Sequence, residues 1–380
     1  MSSRDLTIAL AGVEEHPHAR AVLGGALAAG GRPSHAYLFH GPAGTGMSVV
    51  ARAFAAALLA DGAEDPRAVT ERVFRGTHPD LIWVAPSGAT EMLVADIDEP
   101  VVAAATRTPF EASRRVFVIE SAQTMNDQAA NRMLKTLEEP PPFVHLILLA
   151  DRRQDVLPTI ASRCQHVRFD PLSSESIQRL LMEQGVDHVP AQACARLALG
   201  DAELARWLAG EEGIGLRANA ESFIRASLCA RTENRPWMAL LDGAKAEGEQ
   251  AGERVKASVD AELEFLPKKE HRRHLREGTE AQRRVERRIR TRTLDRGLRL
   301  AELWLRDLWC AASGAPELVY AADRSEELRS DATKVNREHL RNGMELLADT
   351  RLRLTVNVSE ALALEALCYR LSELLADPAG

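Results

Sequence analysis

The chain has 380 residues, of which 45% are hydrophobic and 27% charged, and these proportions exclude wholesale disorder. At about 150 residues per domain, this length predicts two or three domains. No apolar run approaches the ~18 residues of a membrane span, and residues 1–10 lack a signal-peptide pattern. The five cysteines form no CxxC pair, which argues against a disulfide framework and a cysteine-rich zinc site. We therefore expect a soluble, cytoplasmic protein without a membrane partner.

The charge is unevenly distributed along the chain. Its 48 basic and 55 acidic residues give a net charge of −7. Residues 268–299, called the basic segment below, carry 13 Lys or Arg against 5 Asp or Glu, a local charge of +8. The other residues therefore sum to −15. Such a segment is typical either of a surface that binds phosphate or an acidic partner, or of a solvated helix face.

The first recognisable elements surround a glycine-rich stretch. Residues 36–40 form a short apolar run that predicts a buried strand, and residues 47–60 have helical character. Between them lies the glycine loop, residues 41–48, with the sequence GPAGTGMS. A strand, a glycine loop and a helix in this order place backbone N–H groups and a helix N-terminus around phosphates.

Further along, apolar runs alternate with helical stretches such as 127–137. The runs predict strands over 81–84, 116–119, 145–149 and 166–169. Fully apolar strands that alternate with helices predict a parallel α/β sheet covered on both faces.

The character of the sequence changes after residue 171. Residues 173–209 predict two or three short helices, and everything beyond residue 213 has a helical pattern. From residue 280 onward, apolar residues recur mostly at intervals of three and four. This spacing predicts an amphipathic helix with its apolar face at Val285, Ile289, Leu294, Leu298, Ala301, Leu305 and Leu308.

The glycine loop departs from a working phosphate loop at one position. That motif reads GxxxxGK[ST], in which the Lys reaches the β and γ phosphates and the hydroxyl holds Mg²⁺. Here Met47 replaces the Lys, and the loss of a charge-assisted contact weakens nucleotide binding by about 10–150-fold. The transition state loses more, since charge spreads over the transferring phosphoryl group. We therefore predict a degenerate nucleotide loop formed by Gly41, Gly44, Thr45, Gly46, Met47 and Ser48.

Four segments together point to a known family. They are GRPSHAYLF at 31–39, GTHPD at 76–80, AANRMLKTLEEPP at 129–141 and SRC at 162–164. In this order and at these spacings, residues 16–169 resemble the AAA+ module of the delta-prime subunits of bacterial DNA polymerase III clamp loaders. The resemblance implies an α/β plus all-α fold. Its expected parts are an AAA+ P-loop domain with a parallel sheet over 1–170, a small helical lid over 171–212 and a C-terminal helical collar, which joins subunits, over 213–380.

The resemblance also identifies losses in the machinery for ATP hydrolysis. In the hydrolysing members of the family, the strand equivalent to 116–119 ends in Asp-Glu, and here those positions hold Glu120 and Ser121. Glu120 could still approach a metal, but Ser121 cannot act as a general base. The lid Arg that senses the γ-phosphate is replaced by Leu204 in this alignment. We therefore expect no intrinsic ATPase and no cofactor of the chain's own, with ATP held by neighbouring subunits.

One catalytic motif of the family is intact. The triplet Ser162-Arg163-Cys164 matches the family's motif. The resemblance implies that Arg163 is an arginine finger, which reaches the ATP site of the neighbouring subunit. An arginine finger supplied by another subunit can raise the kcat of nucleotide hydrolysis by about 10³–10⁵-fold. The alternative is a structural Arg that caps the end of a strand. Cys164 is expected to be a small buried hydrophobic residue.

A zinc module that the family usually carries is missing. Delta-prime relatives bind zinc with four cysteines after the phosphate-loop helix, whereas residues 61–75 contain none. We therefore predict no metal site. His78, within the GTHPD segment, is expected to be a turn or core residue.

The resemblance implies a non-catalytic delta-prime (stator) subunit of the clamp loader in DNA replication, within the DNA-directed DNA polymerase holoenzyme. Its expected partners are the gamma/tau and delta subunits and, through the assembly, the sliding clamp and primer-template DNA. Two alternatives stay open. One is an active AAA+ ATPase, either a loader motor or a helicase loader, which Met47, Ser121 and Leu204 disfavour. The other is a DNA-binding adaptor that acts through residues 268–299.

Overall fold

The computed structural model describes residue 10 and residues 12–28, 30–86, 91–263, 267–354 and 358–376. The chain divides into two compact units. The first comprises the residues up to 176 together with 200–203, and the second comprises 177–199 together with the residues from 204 onward. The predicted lid, residues 171–212, is thus shared between the two units, and the three-domain division stays a prediction.

The first unit is built on a parallel sheet of five strands in the order β2-β3-β4-β1-β5. The strands are β1 (Ala36–His40), β2 (Leu81–Val84), β3 (Arg115–Ile119), β4 (Val144–Ala150) and β5 (Gln165–Arg168). All five predicted strands are present with ends shifted by at most one residue, and the predicted α/β class is confirmed. In the centre, Phe39 of β1 lies opposite Leu149 of β4 and Val167 of β5.

Helices cover both faces of this sheet. They are α1 (Pro17–Leu27), α2 (Met47–Ala60), α3 (Pro66–Arg75), α4 (Val94–Ile97), continued by a π-helical turn (Asp98–Ala103), α5 (Asp127–Glu138) and α6 (Pro158–Ala161). Because side chains alternate along a strand, Tyr37 and Phe39 pack on one apolar cluster with Phe54, whereas Leu38 packs on the other with Phe117. The rings of Tyr37 and Phe54 lie 5.0 Å apart, edge to face.

The described secondary structure of the second unit is entirely helical, without strands. Its helices are α7 (Ser174–Glu183, which begins in the first unit), α8 (His188–Leu197), α9 (Ala202–Ala209, likewise shared), α10 (Glu211–Leu228), α11 (Met238–Leu263), α12 (Lys268–Ala312), α13 (Ser325–Ala332), α14 (Arg337–Leu354) and α15 (Glu360–Leu375). The predicted amphipathic helix is present and forms part of α12, which runs for 45 residues. Among the described helices, none combines the length and apolar character that a membrane span requires.

Helices α11 and α12 form an antiparallel pair in close contact. A Cβ on Gly248 would lie 2.8 Å from the Glu286 carbonyl oxygen, and one on Gly278 would lie 2.7 Å from Val259 Cγ1. Only glycine permits this approach, because a methyl group would force the helices apart. The C-terminal half of α12 is the core of the unit, where Leu298, Leu305 and Leu308 are fully buried.

Candidate functional site: the glycine loop and the arginine turn

The glycine loop joins β1 to the N-terminus of α2, as the sequence predicts. Gly44 and Gly46 have φ angles of +75° and +79°, in the left-handed region that favours glycine. Thr45 is buried, and its hydroxyl donates a hydrogen bond to the Pro42 carbonyl over 3.1 Å. The shape of a phosphate loop is therefore retained, and it ends at the first turn of a 14-residue helix.

The residue that replaces the missing cation lies in the core. Met47 is the first residue of α2 and packs in the same apolar cluster as Val50 and Phe54. Its thioether therefore stabilises the interior and offers no charge to a phosphate. Ser48, the position that would hold Mg²⁺, is half-buried on the same turn.

A buried histidine supports the loop from within the unit. The His16 Nε2–H donates to the Thr45 carbonyl over 2.7 Å, and the His16 ring lies 4.9 Å from that of Phe169. Burial lowers the pKa of His16, although the Thr45 carbonyl and nearby carboxylates oppose this shift. A neutral His16 thus fixes the loop backbone.

A carboxylate lies directly against the loop. The Asp201 side chain fills the space that a Cβ on Gly44 would need, and the Ala202 N–H donates to the Gly44 carbonyl over 2.9 Å. Residues 200–203 therefore rest on the glycine loop. The sequence pattern of this stretch points to position 204 but not to Asp201, because only the fold brings positions 44 and 201 together.

Glu120 and Ser121 follow β3 at the carboxyl edge of the sheet, the edge that also carries the glycine loop. Glu120 Oε1 accepts a hydrogen bond from the Trp83 indole N–H over 2.7 Å. The Arg52 guanidinium lies 4.3 Å from the centre of the Trp83 ring. Ser121 has φ +52°, and its carbonyl accepts a hydrogen bond from the Thr124 hydroxyl. Glu120 is therefore engaged by Trp83 of the same unit. Ser121 lies in a strained turn and offers no basic group.

The GTHPD segment closes the turn before β2. Asp80 is fully buried and accepts hydrogen bonds from the backbone N–H groups of Phe110, Glu111 and Ala112 over 2.6–2.9 Å. Burial raises the pKa of Asp80, but these hydrogen bonds outweigh it and lower the pKa below its usual value. His78 Nε2 lies 3.1 Å from a Glu111 carboxylate oxygen. The segment therefore has a structural role, and within the described residues no group of three or more His, Cys, Asp or Glu side chains is placed to hold a metal.

Arg163 lies at the surface in the turn between α6 and β5, and residues 159–164, from the end of α6 through this turn, are called the arginine turn below. Its Nη2 forms an ion pair with Glu138 Oε1 at 2.6 Å, and its Nη1 donates to the Thr159 carbonyl over 2.9 Å. Both charged side chains are substantially exposed, at 37% and 49% of their areas. No described contact of Arg163 involves the glycine loop. The guanidinium is thus displayed outward and held by groups of the same unit.

The neighbours of Arg163 differ in their environment. Ser162 is exposed, and its hydroxyl donates to the Thr159 carbonyl over 3.3 Å. Cys164 is buried against the apolar cluster of α5, and burial raises the pKa of its thiol to about 12. Since the thiol stays protonated, Cys164 is a packing residue, as the sequence predicts.

Comparisons with known proteins identify relatives of the first part of the chain. A family model described as "DNA polymerase III, delta subunit" matches residues 16–173. The predicted resemblance to the delta-prime family is confirmed over these residues. The chain is 35% identical over 178 residues to the delta-prime subunit of Bacillus subtilis. The aligned region covers 45% of this chain and 53% of that protein. It is 34% identical over 175 residues to the delta-prime subunit of Pseudomonas aeruginosa, covering 44% and 53%.

The chain thus spans about half the length of these curated relatives. The relatives also include the tau subunit of Bacillus subtilis, 34% identical over 152 residues, covering 38% of this chain and 26% of that one. Among solved structures, a gamma-subunit-related protein of Thermotoga maritima is 16% identical, with a TM-score of 0.44, and covers 94% of this chain and 99% of that one.

Proposed function

We propose that this protein is a non-hydrolysing subunit of the sliding-clamp loader, a stator that presents Arg163 to ATP held by a neighbouring subunit. The observation that carries the proposal is that the glycine loop of this chain lacks the features needed to bind a triphosphate. The loop lacks the phosphate-binding Lys, and a carboxylate, Asp201, lies against Gly44. The delta-prime and tau names of the relatives support the clamp-loader assignment.

Electrostatics explains why this loop would not hold a triphosphate. Met47 supplies no positive charge, and Asp201 adds a negative one. The loop therefore lacks an attraction for phosphate and has a carboxylate close to its backbone. An active ATPase would also need a base at position 121, where the chain has Ser.

The arginine turn has the opposite properties. The ion pair between Arg163 and Glu138 is exposed, and such pairs contribute only about 0–1 kcal/mol. Arg163 can therefore leave Glu138 for a stronger anion at little cost. A γ-phosphoryl group in transfer is such an anion, since its charge develops in a dry site. In this proposal the partners are the gamma/tau and delta subunits, and the assembly acts on the sliding clamp and primer-template DNA.

The direct test is clamp-stimulated ATP hydrolysis by a loader reconstituted with cognate gamma/tau and delta subunits and carrying Arg163→Ala. We expect a lower kcat, with assembly intact, because the finger acts only where charge develops. The loss is partial, since other sites have their own fingers. Arg132→Ala is the matched control, because it also removes an exposed, ion-paired Arg from the first unit. Equal turnover in wild-type and Arg163→Ala loaders would refute the proposal.

A further inference from the structure

The solvent-exposed surface of α12 carries many arginines. Seven arginines of the basic segment are exposed and form no ion pair with any described side chain: Arg272, Arg276, Arg283, Arg284, Arg287, Arg288 and Arg292. We call this set the arginine face. At 1.5 Å per residue, it extends over about 30 Å of helix.

The other basic residues of the segment are used by the protein itself. Arg273 pairs with Glu277 at 2.8 Å, Arg290 pairs with Glu360, and the Arg296 guanidinium lies 4.8 Å from the Trp207 ring centre. The acids of α12 are engaged in the same way, for example Asp295 with Arg351 at 2.8 Å. Among the described residues, two exposed acids lie among the arginines, Glu277, which pairs with Arg273, and Glu280, so the arginine face keeps a large excess of positive charge.

The charge pattern of the arginine face differs from that of an ordinary solvated helix face. On α14, exposed arginines face acids four residues away, as in the pairs Arg341–Glu345 and Arg353–Asp349. On the arginine face the residues four apart are again arginines, at 283 and 287, at 284 and 288, and at 288 and 292. Like charges at this spacing destabilise a helix. A surface that only needed solubility would not require this repulsion.

The position of α11 leaves the arginine face uncovered by its neighbour. Gly248 of α11 approaches Glu286 and Arg290, and Val259 approaches Gly278. These contacts lie on the side of α12 that includes the half-buried residues 282, 285, 286 and 289. The arginines at 283, 284, 287 and 288 are exposed beside them.

We infer that the arginine face binds the phosphate backbone of DNA without reading its sequence. Guanidinium groups bind phosphate in a bidentate manner, and 11 of the 13 basic residues in the segment are Arg. The length of about 30 Å matches roughly nine base pairs at 3.4 Å per pair. The net charge of −15 elsewhere repels a polyanion, which directs binding to this face.

The scarcity of exposed apolar side chains on the arginine face favours DNA over an acidic protein as its ligand. Protein interfaces have an apolar, aromatic-rich centre surrounded by polar groups. Among the described residues of the arginine face, from 272 to 292, Leu275 is the one exposed large apolar side chain, and it lies near the end of the face, with none exposed between 276 and 292. The face therefore has the charge of a nucleic-acid surface without the centre of a protein interface. It lies outside residues 16–173, and the inference does not depend on the proposed ATP chemistry.

The test measures binding of the full chain to a fluorescent 30-base-pair duplex of mixed sequence, at several salt concentrations. Replacing Arg283, Arg284, Arg287 and Arg288 with Gln should weaken binding at least about tenfold at low salt. It should also flatten the slope of log affinity against log salt by about three to four units, since about 0.9 counterions are released per phosphate contact. The control replaces Arg231, Arg329, Arg337 and Arg370, four exposed arginines elsewhere in the second unit, with Gln. Circular dichroism verifies that both variants fold.

A selective loss in the first variant, with the control like wild type, supports the inference. Equal losses in both variants would mean that net charge alone attracts DNA, and would overturn it. Absence of salt-dependent binding by the wild-type chain would overturn it as well. Tighter binding to fluorescent poly-L-glutamate than to the duplex would identify an acidic protein as the occupant and likewise overturn it.

Discussion

The glycine loop and the arginine turn belong to the same unit but are supported in opposite ways. The loop is held by polar groups of its own chain: the buried His16 donates to the Thr45 carbonyl, and the half-buried Asp201 lies against Gly44. Arg163 is exposed and held by a surface ion pair with Glu138. Buried hydrogen bonds fix a backbone strongly, whereas exposed ion pairs fix a side chain weakly. The Arg163 side chain can therefore leave its ion pair without disturbing the buried core, whereas His16 cannot leave its hydrogen bond without exposing a buried polar group.

The largest expected effect comes from reversing the electrostatics of the loop. Met47→Lys combined with Asp201→Asn should raise ATP affinity by at least about 100-fold, because it restores a charge-assisted contact and removes an opposing charge. Turnover should stay absent in Met47→Lys and in the double variant, since Ser121 is not a base. Equilibrium binding of a fluorescent ATP analogue and phosphate release measure the two properties.

The matched control for that experiment is Met47→Lys combined with Glu203→Gln, which removes an exposed acid two residues from Asp201. It should bind ATP no better than Met47→Lys alone. If both double variants gain equally, Asp201 has no specific effect on the loop. Robust phosphate release by Met47→Lys would show that the chain is a disabled ATPase one substitution from activity.

An effect of intermediate size is expected from lowering the pH, which should destabilise the first unit through its buried histidines. Burial lowers the pKa of His145 from 6.5 to about 4, although its hydrogen bond to the Ser34 carbonyl opposes the shift. Burial also lowers the pKa of His16. The unfolded chain therefore binds more protons between pH 6.5 and 4, and the stability of the fold decreases as pH falls through this range. For His145 alone, the loss between pH 7 and pH 5 is about 2 kcal/mol.

Urea unfolding at pH 7 and at pH 5 tests this expectation. The variant His145→Gln should show a smaller difference between the two pH values, even if it is less stable at pH 7. His188→Gln, which removes an exposed histidine in the second unit, is the control and should retain the full difference. An unchanged pH dependence in His145→Gln would contradict the assignment.

The smallest effect is expected at the ion pair of the arginine turn. Glu138→Gln should change the free energy of unfolding by no more than about 1 kcal/mol, because both partners are exposed. It should also leave the kcat of the reconstituted loader equal to that of wild type, whereas Arg163→Ala lowers it. A collapse of folding on Glu138→Gln would mean that the pair is structural, which would remove the contrast between the two sites.

Much of the first unit was predictable from local pattern. Apolar runs such as 36–40 and 145–149 become central strands because a parallel sheet covered on both faces needs continuous apolar residues. The left-handed angles at Gly44 and Gly46 follow from the residue type itself. The start of α12 was less predictable, since its first turns are highly charged and carry no apolar period.

The partners of the polar side chains were not predictable in the same way. Asp201 reaches Gly44 across more than 150 residues, and Glu120 is engaged by Trp83 across 37 positions. Neither contact has a short-range signature, because hydrogen bonds between distant segments depend on how the sheet and its loops are placed. The GTHPD segment was recognised as a motif, but its three backbone hydrogen bonds to Asp80 appeared only in the structure.

The amino-acid sequence thus decided the sheet, the broken phosphate motif at Met47 and the intact Ser162-Arg163-Cys164, since each depends on residue type and local spacing. The tertiary structure decided that Asp201 lies against the loop and that Arg163 rests on Glu138. It also decided which arginines of α12 are exposed and which are paired. Charge acts over distances in space, and only the folded chain determines which charges become neighbours.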